Sequence, residues 1–490
     1  MPTAPAILGL IALERGSERS LQQQLYHALR DDILAGRLAP GMRLPATRMI
    51  ARDVGVARNT VVAAFAQLTH EGYLVARVGA GTQVAELAPE ALLAVGGPTP
   101  RRAAAGRRPT LARRAALWLA AKRPAPDPVR RAFQPGLPET ADFPHAAWAR
   151  LVQRHARRPG RGTLGYAHFA GLPVLRAAIS RYLGAARGVV CEPEQVFVVA
   201  GTQAGLDLVS RLLLDPGDPV WVEEPGYLGA RGAILGAGAR LVPVPVDGEG
   251  IDVAAGKRAA ARARLVYTTP SHQHPLGMTM SLARRLALLE WAAAAGAWII
   301  EDDYDSEYRY RGRPVPAMQG LDGGGRVVYL GSFSKTLLPA LRAGFVVVPP
   351  ALVEPMTAAL RSTGHSMPTV VQAALADFLT EGHFAAHVRR MRALYAARQA
   401  ALVAAIDRRG EGRIVVAAEE AGMQLAARFP RARDDRTVAA RLAAAGVVAP
   451  PLSIYYLGRP RLRGLLLGYA GVPEREIGPA VQTLAGVLGA

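Results

Sequence analysis

The sequence holds one cysteine, Cys191, in 490 residues. A single thiol excludes an internal disulfide framework and fits a reducing compartment. Long apolar runs are also missing. Residues 6–13 form an apolar stretch too short to span a bilayer, with no basic residue ahead of it, and Glu290 interrupts the Ala-rich segment around it. These absences point to a soluble cytoplasmic protein. Aromatic residues make up only 6%, but half the residues are hydrophobic and 20% are charged, a globular rather than a disordered balance. The chain is too long for one ordinary domain. Its scarcest charge is lysine: Lys122, Lys257 and Lys335 are the only three among 59 Lys+Arg residues. The net charge of +20 suits a polyanionic partner without proving one, and in so arginine-rich a chain a single arginine carries little weight.

The rarity of lysine draws attention to Gly331-Ser332-Phe333-Ser334-Lys335-Thr336, which follows the apolar run 327–330 and precedes Arg342-Ala343-Gly344-Phe345. An amine that loses its proton can attack a carbonyl and form a Schiff base; a guanidinium cannot. Other segments fit the same chemistry. Asp302 closes the apolar run 298–300, so it is expected at the C-terminal end of a buried strand, where a carboxylate can pair with a protonated pyridine nitrogen. Tyr304, two residues on, falls on the same side of an extended chain and can reach a phenolic oxygen. Gly201-Thr202-Gln203 follows the apolar run 196–200 and opens a helical pattern, which offers N–H groups to a phosphate. Tyr227, after Glu223-Glu224-Pro225-Gly226, can stack on a ring, and Arg342 can fork onto phosphate oxygens beside Ser332 and Ser334. Singly, each has a bland alternative; their order and spacing are specific.

With these motifs the chain resembles a fold-type I pyridoxal phosphate (PLP) protein of the aminotransferase class. The resemblance implies that Lys335 forms the Schiff base with PLP, that Asp302 holds the pyridine nitrogen and that Tyr304 meets O3′. It implies a phosphate cup of Gly201, Thr202, Gln203, Ser332, Ser334 and Arg342, with Tyr227 in the stacking position.

Nearer the N-terminus, Leu21, Leu25, Leu29 and Ile33 recur every four residues and predict an amphipathic helix ending near Gly36. Thr47 is expected to cap a second short helix broken by Gly55. A third carries Val61, Phe65 and Leu68 on one face and ends near Gly72. Helix, Gly-containing turn and helix make a helix-turn-helix. Residues 73–75 and 82–84 then flank Gly79-Ala80-Gly81 as a two-stranded wing. In such a unit the start of the second motif helix meets base edges, and Arg58 and Asn59 stand there. The strings Leu44-Pro45-Ala46-Thr47-Arg48, Arg58-Asn59-Thr60-Val61, Glu71-Gly72-Tyr73 and Gly79-Ala80-Gly81-Thr82 closely resemble the winged helix of the GntR superfamily. By that match Arg48, Arg58, Asn59 and Thr60 contact operator DNA, and Gly79, Gly81 and Thr82 form the wing tip. Ala57 departs from the usual serine cap, at a local cost of ~1 kcal/mol.

Three parts are expected: a DNA-binding domain over 1–86, a linker over 87–128 and an aminotransferase-like domain over 129–490, with a large lobe near 160–350 and a small lobe near 351–490. The linker is basic and punctuated by proline, with a short helix expected over 111–122. From about Val129 strand runs alternate with helical patterns, predicting α/β architecture with a mostly parallel sheet and a ligand at the strand C-terminal ends. A long helix is expected near 384–406.

This order of parts resembles the MocR/GabR subfamily of bacterial transcription regulators over nearly the full chain. Two further strings carry the likeness: Thr269-Pro270-Ser271-His272-Gln273-His274-Pro275-Leu276-Gly277 and Glu301-Asp302-Asp303-Tyr304-Asp305-Ser306-Glu307. His274 stands where the subfamily usually has Phe and where aminotransferases often have an Asn against O3′; it either substitutes for that Asn or fills its space. The resemblance implies a homodimer that binds operator DNA and uses PLP to sense a small molecule. The rival reading is a working aminotransferase with an appended DNA-binding domain. Aminotransferases of this class grip the substrate α-carboxylate with an arginine, and Leu466 occupies its place here. Losing that fork forfeits ~1.5–3 kcal/mol, unless Arg461 or Arg463 reaches in. The regulator reading is preferred. Its effector is expected to be PLP itself, or an amine that is not held through the usual carboxylate clamp.

Overall fold

In the computed structural model the described residues are 13–17, 19–77, 81–86, 112–120, 129–160, 163–165, 168–312 and 315–489. The chain divides into two compact units, residues 1–109 and 110–490.

The first unit contains α1 (Leu21–Leu34), α2 (Thr47–Val54), α3 (Arg58–His70) and the hairpin β1 (Leu74–Arg77) and β2 (Gly81–Val84). Leu25, Leu29 and Ile33 of α1 bury their side chains with Ile50, Val61, Phe65, Leu68 and Leu74, so the four-residue spacing becomes one apolar stripe. A capping box starts α1: Ser20 Oγ accepts from the Gln23 N–H, and Gln23 Oε1 accepts from the Ser20 N–H. The cap expected from Thr47 is not formed. The helical bonds of α2 already begin at the Ala46 carbonyl, which accepts from Met49 and Ile50, so Thr47 is its first helical residue. Gly55 ends α2 in a left-handed conformation, φ 71°. The hairpin is antiparallel, with Leu74 opposite Val84 and Arg77 opposite Gly81. Gly79, expected at the wing tip, lies outside the described residues.

The second unit is α/β. Its helices are α4 (Arg113–Ala120), α5 (His145–Arg157), α6 (Pro173–Arg187), α7 (Thr202–Leu213), α8 (Leu228–Gly236), α9 (Val253–Ala260), α10 (Leu282–Ala295), α11 (Val353–Thr363), α12 (Thr369–Thr380), α13 (His383–Arg409), α14 (Asp435–Ala444) and α15 (Glu474–Gly489). The large sheet is built from β3 (Val196–Val199), β4 (Pro219–Glu224), β5 (Arg240–Asp247), β6 (Gly250–Ile251), β7 (Leu265–Thr268), β8 (Trp298–Asp303), β9 (Val327–Ser332) and β10 (Gly344–Val347). Their spatial order is β3-β10-β9-β8-β7-β4-β5-β6. Neighbours from β9 through β8, β7 and β4 to β5 pair parallel, whereas β10 is antiparallel to both β3 and β9, and β6 to β5.

Side chains alternate between the faces of this sheet. Phe197, Val199, Val346 and Leu330 pack among α7, α8 and α11; Val196, Val198, Val347 and Tyr329 pack among α6 and α12. Helices α11 and α12 thus complete the large sheet's cores. A separate core gathers the later part of α13, from Met391, around α14, α15 and the antiparallel pair β11 (Gln424–Arg428) and β12 (Gly464–Gly468). Among the described residues no helix is long and apolar enough to cross a membrane.

Candidate functional site

Strands β3, β4, β7, β8 and β9 all point their C-terminal ends at one cavity of about 640 Å³. Every cofactor candidate named from the sequence lines it: Gly201, Thr202, Gln203, Tyr227, His274, Asp302, Tyr304, Ser332, Ser334, Lys335 and Arg342.

Lys335 follows the end of β9, and its Nζ donates to the Gly136 carbonyl at 2.7 Å. Gly136 sits at φ +72°, and a Cβ there would lie 2.6 Å from Nζ. The positive φ favours glycine there, and any side chain would also push the lysine tip aside. Gly136 arrives because the neighbouring Phe133 bridges to Gly468 of β12.

Asp302 and Asp303 are adjacent on β8 but stand in different surroundings. Asp303 Oδ2 meets Arg187 Nε at 2.8 Å and accepts from the Tyr329 hydroxyl at 2.6 Å. Asp302 Oδ2 accepts from Tyr267 at 2.6 Å; the Oδ1 of each aspartate is buried without a hydrogen-bond partner in the structure, but of the two only Asp302 lines the cavity. Burial pushes the Asp302 carboxyl up to about 7, against the Tyr267 hydrogen bond that pulls it down. An acceptor oxygen in this condition fits a cationic N–H in the cavity. Tyr267 also lies beside Tyr227 in an offset arrangement, ring centroids 6.5 Å and planes 27° apart, so the same residue adjoins the acid and the stacking ring.

At the opposite end, Gly201 caps α7 at φ +90°, a conformation that strains any other residue. The first N–H groups of α7, those of Thr202 and Gln203, have no carbonyl one turn back in their own helix. Thr202 Oγ1 lies 3.5 Å from the Gly331 carbonyl, and Gln203 Nε2 donates to the Gly229 carbonyl at 2.9 Å. Ser332 Oγ accepts from the Ser334 N–H at 3.1 Å. Arg342 takes a left-handed conformation, φ 49°, which sets it against Gly201. The result is a helix N-terminus, two serines and a guanidinium around one concavity, the chemistry of an anion cup.

The rest of the wall is aromatic and polar. His274 makes edge contacts with Tyr227, Tyr304 and Tyr455 and lies 3.0 Å from Gln424 Nε2 through Nδ1. Leu466 is wholly buried in β12, packed with Leu452 and Tyr455 behind this wall. Arg461 and Arg463 line a different cavity with Arg428 and Phe429, and Arg463 pairs with Asp435 at 3.2 Å. Among the described lining residues the cations are therefore Lys335 and Arg342, and the possibility that Arg461 or Arg463 enters from its loop is not realised.

In the first unit Arg58, Asn59 and Thr60 form the opening turn of α3, with both Arg58 and Asn59 exposed. Ala57 caps that turn without a side-chain acceptor. Arg48 is exposed on α2. Gly81 and Thr82 open β2; Gly81 is at φ +80°, with the Arg43 side chain against it.

Sequence reasoning missed Gln134, Gly136, Tyr267, Asp305, Gln424 and Tyr455, all of which line the cavity. Tyr267 left a signal, a hydroxyl inside the apolar run of β7. Asp305 falls inside the string 301–307 but was given no role there; the others come from loops and from the small lobe, where no local pattern marks them.

Comparison with known proteins bears on both units. Residues 21–84 match the gntR family of bacterial regulatory proteins, and residues 138–484 match the class I and II aminotransferases. The probable rhizopine catabolism regulatory protein MocR of Rhizobium meliloti is 47% identical over 97% of this chain and 95% of its own length. The transcriptional regulator TauR of Rhodobacter capsulatus is 35% identical over 97% of this chain and 98% of its own. Among solved structures, the α-aminoadipate aminotransferase LysN of Thermus thermophilus, in complex with a phosphopyridoxyl-leucine, superposes with a TM-score of 0.68 at 29% identity, covering 77% of this chain and 95% of that one. The chain belongs to the MocR-type branch of the GntR transcriptional regulators, a winged helix joined to an aminotransferase-fold domain.

Proposed function

We propose that this regulator holds PLP in the cavity and that occupancy of the cavity changes its affinity for operator DNA. The observation that carries the cofactor reading is the buried Oδ1 of Asp302, an acceptor without a partner on a residue that, unlike Asp303, lines the cavity. A protonated pyridine nitrogen satisfies it and supplies the positive charge that burial withholds. When bound, PLP supplies an aldehyde able to condense with a primary amine. This chain's own residues do the rest. Lys335 presents its amine from the Gly136 side, Tyr227 covers a ring face, and the cup from Gly201 to Arg342 takes the phosphate. Arg48, Arg58, Asn59, Thr60, Gly81 and Thr82 contact the operator.

The effector reading follows from the wall. With Leu466 buried and Arg463 engaged by Asp435, the guanidinium among the described lining residues is Arg342, which the phosphate cup uses. The signal is therefore PLP itself or an amine without that carboxylate. Either must bind two conformations unequally, because tight binding alone shifts no equilibrium. A homodimer matches a repeated operator half-site. The test is operator affinity of cofactor-free protein, of PLP-bound protein, and of PLP-bound protein with amines and amino acids. PLP binding should change that affinity. Equal affinities across all three would sink the sensor reading, and common α-amino acids that shift the visible spectrum at micromolar levels would reverse the use of Leu466.

A further inference from the structure

We propose that His272 is a positioning residue: it fixes the Tyr304 hydroxyl as a donor into the cavity and ties that hydroxyl to the small lobe through Glu419. The inference rests on the cofactor reading above and extends it to a residue behind the wall.

His272 lies in the loop after β7, with a side chain 3% exposed. Its Nδ1 is 3.0 and 3.1 Å from the two oxygens of Asp305, which is 1% exposed. Its Nε2 is 2.9 Å from Glu419 Oε2, in the loop between α13 and β11. The Tyr304 hydroxyl lies 3.1 Å from the same Nδ1 that faces Asp305. An ionised carboxylate only accepts, so Asp305 requires a proton on Nδ1. A protonated ring nitrogen has no lone pair to receive the tyrosine proton. Nδ1 therefore cannot accept from the Tyr304 hydroxyl, whose own proton is left for the cavity that Tyr304 lines.

The charge state agrees with this geometry. Burial alone lowers the imidazole, but Asp305 and Glu419 outweigh it and push His272 up to about 10. Burial raises Glu419 against the His272 hydrogen bond, and burial, with Asp305 next, raises Tyr304. A phenol so held keeps its proton and donates it. Fit is equally tight. Gly422 at φ +103° abuts the His272 ring and Gly277 at φ +86° abuts the Glu419 carboxylate, and a Cβ at either would collide. The loop bearing Glu419 and Gly422 thus packs directly against the imidazole that faces Tyr304.

The test is a double-mutant cycle read on PLP affinity and on the pH midpoint of the cofactor's visible band. H272Q should weaken PLP binding roughly tenfold and move the midpoint. In a Y304F background the same change should alter affinity by less than about twofold, because the hydroxyl it acts through is gone. E419Q should move both readouts in the direction of H272Q by a smaller amount. Equal losses with and without Tyr304 would show that His272 serves the fold alone, and an unchanged midpoint in H272Q would remove it from the site. If H272Q does not fold, the E419Q and Y304F cycle decides by the same criteria. A wild-type protein that takes up no PLP overturns the cofactor reading as well; uptake with an additive cycle overturns only the role of His272.

Discussion

In the winged helix, the residues expected at DNA lie between positions 48 and 82 and are mostly exposed. In the cavity, the lining runs from Gln134 to Tyr455, and Asp302, Asp305 and Tyr267 are buried in the fold. The first arrangement lets a contact be deleted with little cost to the core beneath it. Burying charge makes the second different, because each ionisable group there is also a term in stability. Thr60 marks the boundary between the two regimes: it is half-buried, beside the fully buried Val61 that anchors α3.

The largest expected effect separates the two units outright. Lys335→Ala should abolish the visible band of a lysine-bound cofactor and leave α3 untouched. A variant that keeps the same band would remove Lys335 from its role. Arg58→Ala is the mirror experiment. It should weaken specific operator binding by ~1–3 kcal/mol and relax sequence preference, with the PLP spectrum unchanged. Full operator affinity in Arg58→Ala would take Arg58 off the reading face. A spectrum altered by the same change would mean that the units are coupled more tightly than their separate cores suggest.

Much of both regions was legible in the sequence, for a physical reason. Lysine is rare here, so Lys335 stood out, and Asp302 was placed by the apolar run that ends at it. A winged helix is local, so its helices and turns could be read in order. Other features depend on long-range pairing. Glu419 meets His272 across 147 positions, and Gly136 reaches Lys335 through a bridge to β12. Neither leaves a local pattern. The run at 344–348 predicts a strand but not its direction, because a continuous apolar run reads the same either way; β10 is antiparallel to both neighbours. Thr47 was misplaced by one residue, which is the usual uncertainty of a helix start.

A smaller effect tests the buried side of the comparison. Asp302 in the folded protein sits near 7, above its ordinary value of 3.8. Between those limits the folded state binds more protons than the unfolded state, so cofactor-free protein should lose stability as pH rises through that window. Asp302→Asn has no such group. Its Tm should gain on the wild type by a few degrees, on the order of 2–4 °C, between pH 5 and pH 8. His272, raised to about 10, also loses its contribution as pH rises, but it is present in both proteins and cancels. With PLP bound, the pyridinium neutralises Asp302 and the gain should vanish. A Tm difference that is flat with pH in the cofactor-free proteins would mean that Asp302 is not held protonated at its site.

The smallest effect belongs to the exposed side. Ala57 already has the extended backbone of a helix cap, φ −65° and ψ 142°, but no side-chain oxygen. Ala57→Ser adds an acceptor for the Asn59 or Thr60 N–H without moving the chain. It should stabilise the winged helix by about 0.5–1 kcal/mol, seen as a later unfolding transition of that unit with the cofactor band unchanged. Because the gain comes from the same turn that carries Arg58, operator affinity should hold or rise slightly. If the cap stabilises the unit but weakens operator binding, the opening turn of α3 must loosen to fit DNA. The exposed site would then resemble the cavity after all, with its function drawn from a contact the fold leaves unmade.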